Sequence, residues 1–216
     1  MLQVYKDPIM SGYLLLALLW AAYCAVHSAL ISISVTSWLK AMLASRYRFY
    51  RLFFNIFSIV TLIPLVMYSH SARFNSEPLF TWSGHWWMLR YFLVSLCVVL
   101  VLAGARHYSM LQFLGIHQIR NESIRTGMTG SGDLDDRGVL GIVRHPWYVT
   151  VFILLWTGDL NAAATTVNLV LSAYLIVGTL LEERKLVIEF GEEYRRYQGR
   201  VSMFIPVKWL TARRTR

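Results

Sequence analysis

The sequence predicts an all-α polytopic membrane protein. Three observations predict it: hydrophobic residues fill 56% of the 216 positions, charged residues only 15%, and mean hydropathy is +0.46. An ordinary soluble domain has about 45–50% apolar and about 25% charged residues. A disordered tail, a collagen-like fibre and a disulfide scaffold are therefore excluded. The length fits one domain or two small ones. A net charge of +9 can mark a nucleic-acid binder, but these Lys and Arg residues fall in short stretches between apolar blocks, not along one face. Membrane topology accounts for them, and no nucleic-acid partner is expected. Cys24 and Cys97 both lie in apolar blocks and form neither a CxxC metal site nor a disulfide framework. They read as packing residues.

The first apolar block covers residues 11–39, with no charge in 12–26, enough for a helix across a hydrocarbon core of about 30 Å. Its leader holds Lys6, Asp7 and Pro8, and the apolar run outlasts a signal peptide, so cleavage is not expected. A second block, residues 52–68, carries Pro64 near its end. A third, residues 87–105, follows Trp82, Trp86 and Trp87, the aromatic belt of a water boundary. Arg90 is expected to snorkel to that boundary. Residues 106–144 then change character: Gly127, Gly130, Gly132, Asp133, Asp135 and Asp136 make a polar segment that cannot lie in lipid.

Residues 147–181 are apolar except at Gly158, Asp159 and Asn161, which divide the stretch into a helical hairpin. A helix over residues 146–160 is only about 22 Å long. Either it begins earlier, near Val139, or the hairpin is partly buried in protein. Residues 182–216 are basic and amphipathic, with Phe190, Tyr194 and Tyr197 at helical spacing and Pro206 stopping the pattern. They form a tail helix at the membrane surface. Lys and Arg number one before the first span, four in 40–51, one in 68–86, five in 106–144 and nine after 181. That alternation predicts about five transmembrane helices, the amino terminus outside and the carboxyl terminus cytoplasmic, in a plasma or bacterial inner membrane. Residues 1–105 form a three-span region, and 106–216 a core of loop, hairpin and tail helix.

The dense chemistry lies at two edges of the hairpin: Arg144-His145-Pro146-Trp147-Tyr148 at its start and Glu182-Glu183-Arg184 at its end. Chain reversal brings these together. Pro146 suits the first turn of a helix, where its missing N–H has no intrahelical partner, and it biases His145 toward an extended conformation. Adjacent carboxylates at the carboxyl end of a helix oppose its dipole, so Glu182 and Glu183 need a cation. Arg144, Arg184 or a cationic ligand can supply it.

The stretches GVLGIVRHPWY, EERKL and FGEEYRRYQGRVSMFIP, in that order, resemble the isoprenylcysteine carboxyl methyltransferase-like membrane proteins, whose relatives include phospholipid N-methyltransferases and small-thiol S-methyltransferases. The likeness covers residues 138–206. His27-Ser28 and Tyr50-Arg51-Leu52-Phe53-Phe54-Asn55 resemble the thiol-methylating and NnrU-like branches. The resemblance implies an S-adenosylmethionine-dependent enzyme, its cofactor enclosed by the last two spans and the tail helix. It implies Arg144 as catalytic residue, with His145, Pro146, Tyr148, Glu182 and Glu183 on the cofactor. Tyr194 and Tyr197 are either substrate contacts that close the pocket or interfacial side chains meeting headgroups. The implied acceptor is small or lipophilic: a thiol first, then the carboxylate of a prenylcysteine or a lipid amine. No metal is required. The family usually has an aromatic where this chain has Leu140, and often a glycine where it has Thr150, so the pocket is expected to be reshaped.

His27, Asn55, Asp159 and Asn168 are polar groups in or beside spans, expected to serve mainly as interhelical hydrogen-bond partners. His107 and His117 lack a second ligand pattern. The competing class is a non-enzymatic membrane assembly factor or small transporter. A transporter calls for paired ionisable residues near the midplane, and this chain has few.

Overall fold

The computed structural model describes residues 8–107, 114–120 and 134–214. Gly127, Gly130, Gly132 and Asp133 of the polar segment lie outside them. Helix α1 (Pro8–Leu30) stops short of the expected block, because Ser32 starts a new helix, α2 (Ile33–Leu43), by accepting the Val35 N–H at 3.3 Å. A serine side chain satisfies an orphan N–H of a first turn better than an apolar residue can. The exposed carbonyls at the end of α1 are met from outside: Tyr50 Oη donates to Leu30 O at 2.7 Å and Lys185 Nζ to Ile31 O at 2.6 Å. The expected helix through residue 39 is thus two helices separated by a capped break.

A 3₁₀ turn (Ala44–Phe49) leads into α3 (Tyr50–Ser69), which contains Pro64. Leu16, Trp20, Leu65, Phe74, Ala163 and Val167 form a buried cluster that joins α1 and α3 to the later hairpin. The outward faces are apolar too, with Leu18, Ile59, Val60, Phe92 and Val99 all exposed. Apolar inside and outside is the pattern of a helix whose solvent is lipid. Four helical stretches are long and apolar enough to cross a membrane, Met10–Leu30, Ile33–Ser69, Trp86–Ala105 and Ala162–Phe190, alongside the shorter Pro146–Trp156. The protein is an all-α polytopic membrane protein. Among the described residues, β-pairing is limited to two isolated bridges.

Helix α4 (Trp86–Ala105) is followed by the short α5 (Ile116–Arg120) and a 3₁₀ turn (Gly138–Gly141). The hairpin consists of α6 (Pro146–Trp156) and α7 (Ala162–Phe190), and the tail of α8 (Glu192–Arg200) and α9 (Val207–Arg214). Of the two explanations for the short arm, an earlier start fails: residues 138–141 form a separate turn, and α6 begins at Pro146. Instead α6 is sheltered by α4. A Cβ on Gly104 would lie 2.3 Å from Trp147 Nε1, so only glycine lets α6 approach this closely. At the other end, Arg90 and Asp159 pair at 3.9 Å. Between Gly104 and Arg90, α4 rises about 21 Å, which sets the depth of the hairpin.

Residues beyond α3 cover the hairpin tip. Leu160 N–H donates to Phe80 O at 2.9 Å, Phe80 N–H donates back at 3.1 Å, and Trp82 N–H donates to Asp159 Oδ1 at 3.0 Å. Asp159 thus fixes a loop, while Asn168 hydrogen-bonds across the hairpin to Leu155 O. Cys24 and Cys97 are buried and free, as packing residues should be.

Candidate active site

The two edges of the hairpin meet. Pro146 occupies the first position of α6, and His145 before it takes φ −125 and ψ 65, outside the helical region. The segment is clipped to the tail by main-chain bonds: Arg144 N–H donates to Ser202 O at 2.9 Å and His145 N–H to Met203 O at 3.2 Å. Those bonds aim both side chains at α7. Glu182 and Glu183 are not at the end of that helix, which runs on to Phe190. The macrodipole falls off within the last turn, so the need for a cation comes from burial instead.

Arg144 meets that need. Its Nε donates to Glu183 Oε1 at 2.9 Å and its Nη2 to Oε2 at 2.8 Å, a bidentate pair with side chains 7% and 6% exposed. Nη1 donates to the carbonyls of Val201 and Gln198. Glu183 receives three more contacts: His145 Nε2 at 2.6 Å, the Tyr194 hydroxyl at 2.7 Å and Gln198 Nε2 at 2.5 Å. Burial and the neighbouring Glu183 carboxylate both push the Tyr194 phenol above its ordinary pKa. Tyr197, also buried, donates to Leu140 O at 2.7 Å. Both tail tyrosines therefore face the protein, and their hydroxyls are committed to it.

Glu182 is the different member. Its side chain is 25% exposed and its Oε2 stands 3.7 Å from His145 Nδ1, beyond hydrogen-bond reach. That oxygen is buried and has no hydrogen-bond partner among the described residues. The Tyr148 ring lies edge-on to His145 with centroids 5.4 Å apart, and Phe204 approaches the same imidazole at 6.3 Å. The corner thus offers one unsatisfied carboxylate oxygen beside an oriented imidazole and two aromatic rings. That donor set suits a small cation carrying hydroxyls or an ammonium.

Of the sequence-derived candidates, Arg144, His145, Glu183 and Tyr194 share one network, and Glu182 and Tyr148 border it. Pro146 starts the helix, and Tyr197 anchors the turn before it. Arg184 is exposed and takes no part. Gln198, Phe204 and the carbonyl of Val201 were not singled out. The only signal for Gln198 was its position one helical turn after Tyr194 on α8. Where the family pattern departs, Leu140 and Thr150 are both buried, and the Thr150 hydroxyl donates to Pro146 O at 3.1 Å. Nearby, His107 Nδ1 and Asp135 Oδ2 are 2.6 Å apart. Burial disfavours the Asp135 carboxylate, but the bonds from His107 and the Arg137 N–H hold it below its ordinary pKa. Among the described residues no group of three His, Cys, Asp or Glu side chains is placed to hold a metal.

A family model described as NnrU protein matches residues 15–210. The chain is 34% identical over 115 residues to methanethiol S-methyltransferase 1 of Bradyrhizobium diazoefficiens, covering 50% of this chain and 38% of that one. It is 32% identical over 108 residues to the methanethiol S-methyltransferase of Pseudomonas deceptionensis, covering 50% and 41%. A shorter match, 40% over 65 residues, is to the methanethiol S-methyltransferase of Crocosphaera subtropica, covering 30% and 26%. The chain therefore spans well under half the length of these relatives. No solved structure matches.

Proposed function

The chain belongs to the NnrU family, and on that premise we propose that it is a membrane-embedded, S-adenosylmethionine-dependent methyltransferase acting on a small or lipophilic thiol. The observation that carries the reading is the buried Oε2 of Glu182, without a hydrogen bond among the described residues and 3.7 Å from His145 Nδ1 at the foot of the hairpin. A lone buried carboxylate oxygen is costly, and an ammonium or ribose hydroxyl relieves it. Tyr148 packs on the ligand from α6. His145 is oriented by Glu183, and Glu183 by Arg144, so these two act by positioning. Tyr194 and Gln198 close the corner from the tail. S-adenosylmethionine supplies an already activated methyl, and the protein's part is to align acceptor and donor and exclude water. The named relatives support the thiol. By the distribution of Lys and Arg, this corner faces the cytoplasm.

The test uses the full chain in detergent. Calorimetry with S-adenosylmethionine should show binding, and Glu182→Gln should weaken it about tenfold, the loss of one charged hydrogen bond, while leaving thermal unfolding unchanged. Equal affinity in both proteins removes the assignment. Radiolabelled S-adenosylmethionine offered with thiols, prenylcysteines and aminolipids then identifies the acceptor. Transfer to thiols is expected, and transfer to another panel alone replaces the thiol.

A further inference from the structure

The polar corner leaves one feature of the amino-terminal half unused. Between α1 and α3 lies a cavity of about 430 Å³, walled by Leu19, Ala22, Phe57, Pro64 and Tyr68. Small-molecule sites occupy about 300–1,000 Å³. The rim is lipid-facing, since Leu19 and Val26 are both exposed, so whatever enters comes from the hydrocarbon layer.

Besides Tyr68, the cavity's polar lining residues are Tyr23, His27, Ser58 and Thr61. His27 Nδ1 shares a hydrogen bond with Ser58 Oγ at 3.2 Å, and Tyr23 Oη donates to Ser58 O at 3.2 Å. Thr61 Oγ1 donates to Phe57 O at 2.7 Å. The tyrosine and threonine protons are thus committed to main-chain carbonyls. His27 keeps a second ring nitrogen, Nε2, without a hydrogen-bond partner among the described residues. Phe54 and Tyr174 fix the ring plane, with centroids 4.8 and 6.4 Å away. From His27 to Leu19 the wall runs eight residues of α1, about 12 Å.

We propose that this cavity binds a membrane-resident amphiphile with a single hydrocarbon chain and a neutral hydroxyl or thiol head, the head at His27 and the chain toward Leu19 and Tyr68. The chain follows from the apolar walls and lipid-facing rim. The head follows from His27. If Ser58 donates to Nδ1, Nε2 carries the proton and donates; if Nδ1 donates, Nε2 accepts. A hydroxyl or thiol serves both cases. A charged head is disfavoured, because no Asp, Glu, Lys or Arg lines the cavity to offset its desolvation. The proposal does not rest on methyl transfer at the foot of the hairpin.

The test reconstitutes the full chain in phosphatidylcholine vesicles and photolabels it with diazirine-bearing hexadecanol, hexadecane or phosphatidylcholine. Hexadecanol adducts should concentrate in residues 19–27 and 57–68. Ala22→Trp, which fills the cavity, should reduce them about tenfold while adducts on α4 persist. His27→Leu should reduce labelling by hexadecanol several-fold and leave that by hexadecane unchanged, a comparison that stands even if Ala22→Trp does not fold. Adducts spread evenly over α1, α3 and α4, equal responses of hexadecanol and hexadecane to His27→Leu, or preferential labelling of the cavity by phosphatidylcholine would overturn the proposal.

Discussion

The two halves of the molecule are joined by different physics. Where α1 meets α3 and α7, the contacts along the helix are mainly apolar side chains and single neutral hydrogen bonds, such as Trp20 Nε1 to Ser69 Oγ at 2.9 Å and Ser28 Oγ to Tyr174 Oη at 3.2 Å, with the charged Lys185 Nζ meeting the chain just past the end of α1. At the foot of the hairpin, one carboxylate, Glu183, gathers donors from four other residues on two other segments, 144–145 and α8. A neutral bond between helices in a membrane is worth about 0.6 kcal/mol on average, so the first interface can lose any one of them. The second cannot lose Glu183 without leaving Arg144 buried and unpaired. The tolerant half contains the cavity between α1 and α3, and the intolerant half the polar corner.

Glu183→Ala is the sharpest way to break the contrast. It strands a guanidinium and should cost about 3–5 kcal/mol, read as a large fall in thermal unfolding temperature in detergent. Removing Arg144 and Glu183 together for an apolar pair should cost much less. Next is Gly104→Ala, which sets a Cβ against Trp147: overpacking of about 1–3 kcal/mol is expected, with weakened S-adenosylmethionine binding as α6 shifts. Tyr194→Phe removes one bond to the carboxylate and should cost about 1–2 kcal/mol. That variant also predicts a pH effect. The raised Tyr194 pKa means that the folded protein keeps a proton the unfolded chain releases near about pH 10. This stabilisation is complete below that pH and declines as pH rises toward the folded value. Wild type should therefore lose stability above pH 10 more steeply than Tyr194→Phe. Smallest of all, Ser28→Ala between α1 and α7 should cost under about 1 kcal/mol, and a loss as large as that of Tyr194→Phe would erase the distinction between the halves.

How far the sequence could be read follows the same division. The hairpin was legible because Gly158, Asp159 and Asn161 interrupt an apolar run, and the start of its foot because Pro146 carries a local physical signature, whereas the end-of-helix argument for the acidic doublet fails because α7 runs on to Phe190. The break at Ser32 was harder, since a serine within apolar residues is also common inside a membrane helix. What sequence could not order was the inward turn of the tail. Tyr194 and Tyr197 have the spacing of an interfacial surface as much as of a buried one, and burial was decided by the direction in which the chain leaves α7. Gly191, at φ +57, makes that turn. Its position between Phe190 and Glu192 was the one available clue. The contrast between Glu182 and Glu183 was likewise invisible, because neighbours on a helix differ by about 100° in facing, and only the packed partners decide which one is consumed.

The bonds from Arg144 and His145 to Ser202 and Met203 have a consequence for biosynthesis. Ribosomes deliver Arg144 first, Glu183 later, and the strip that fastens them last. Until that strip emerges, a nascent hairpin has its guanidinium and carboxylate for each other but neither Tyr194 nor the Val201 carbonyl. Premature arrest of translation around residue 190 would leave an inserted yet unlatched protein, one that quality-control proteases could distinguish from the finished article by its loose carboxyl-terminal end.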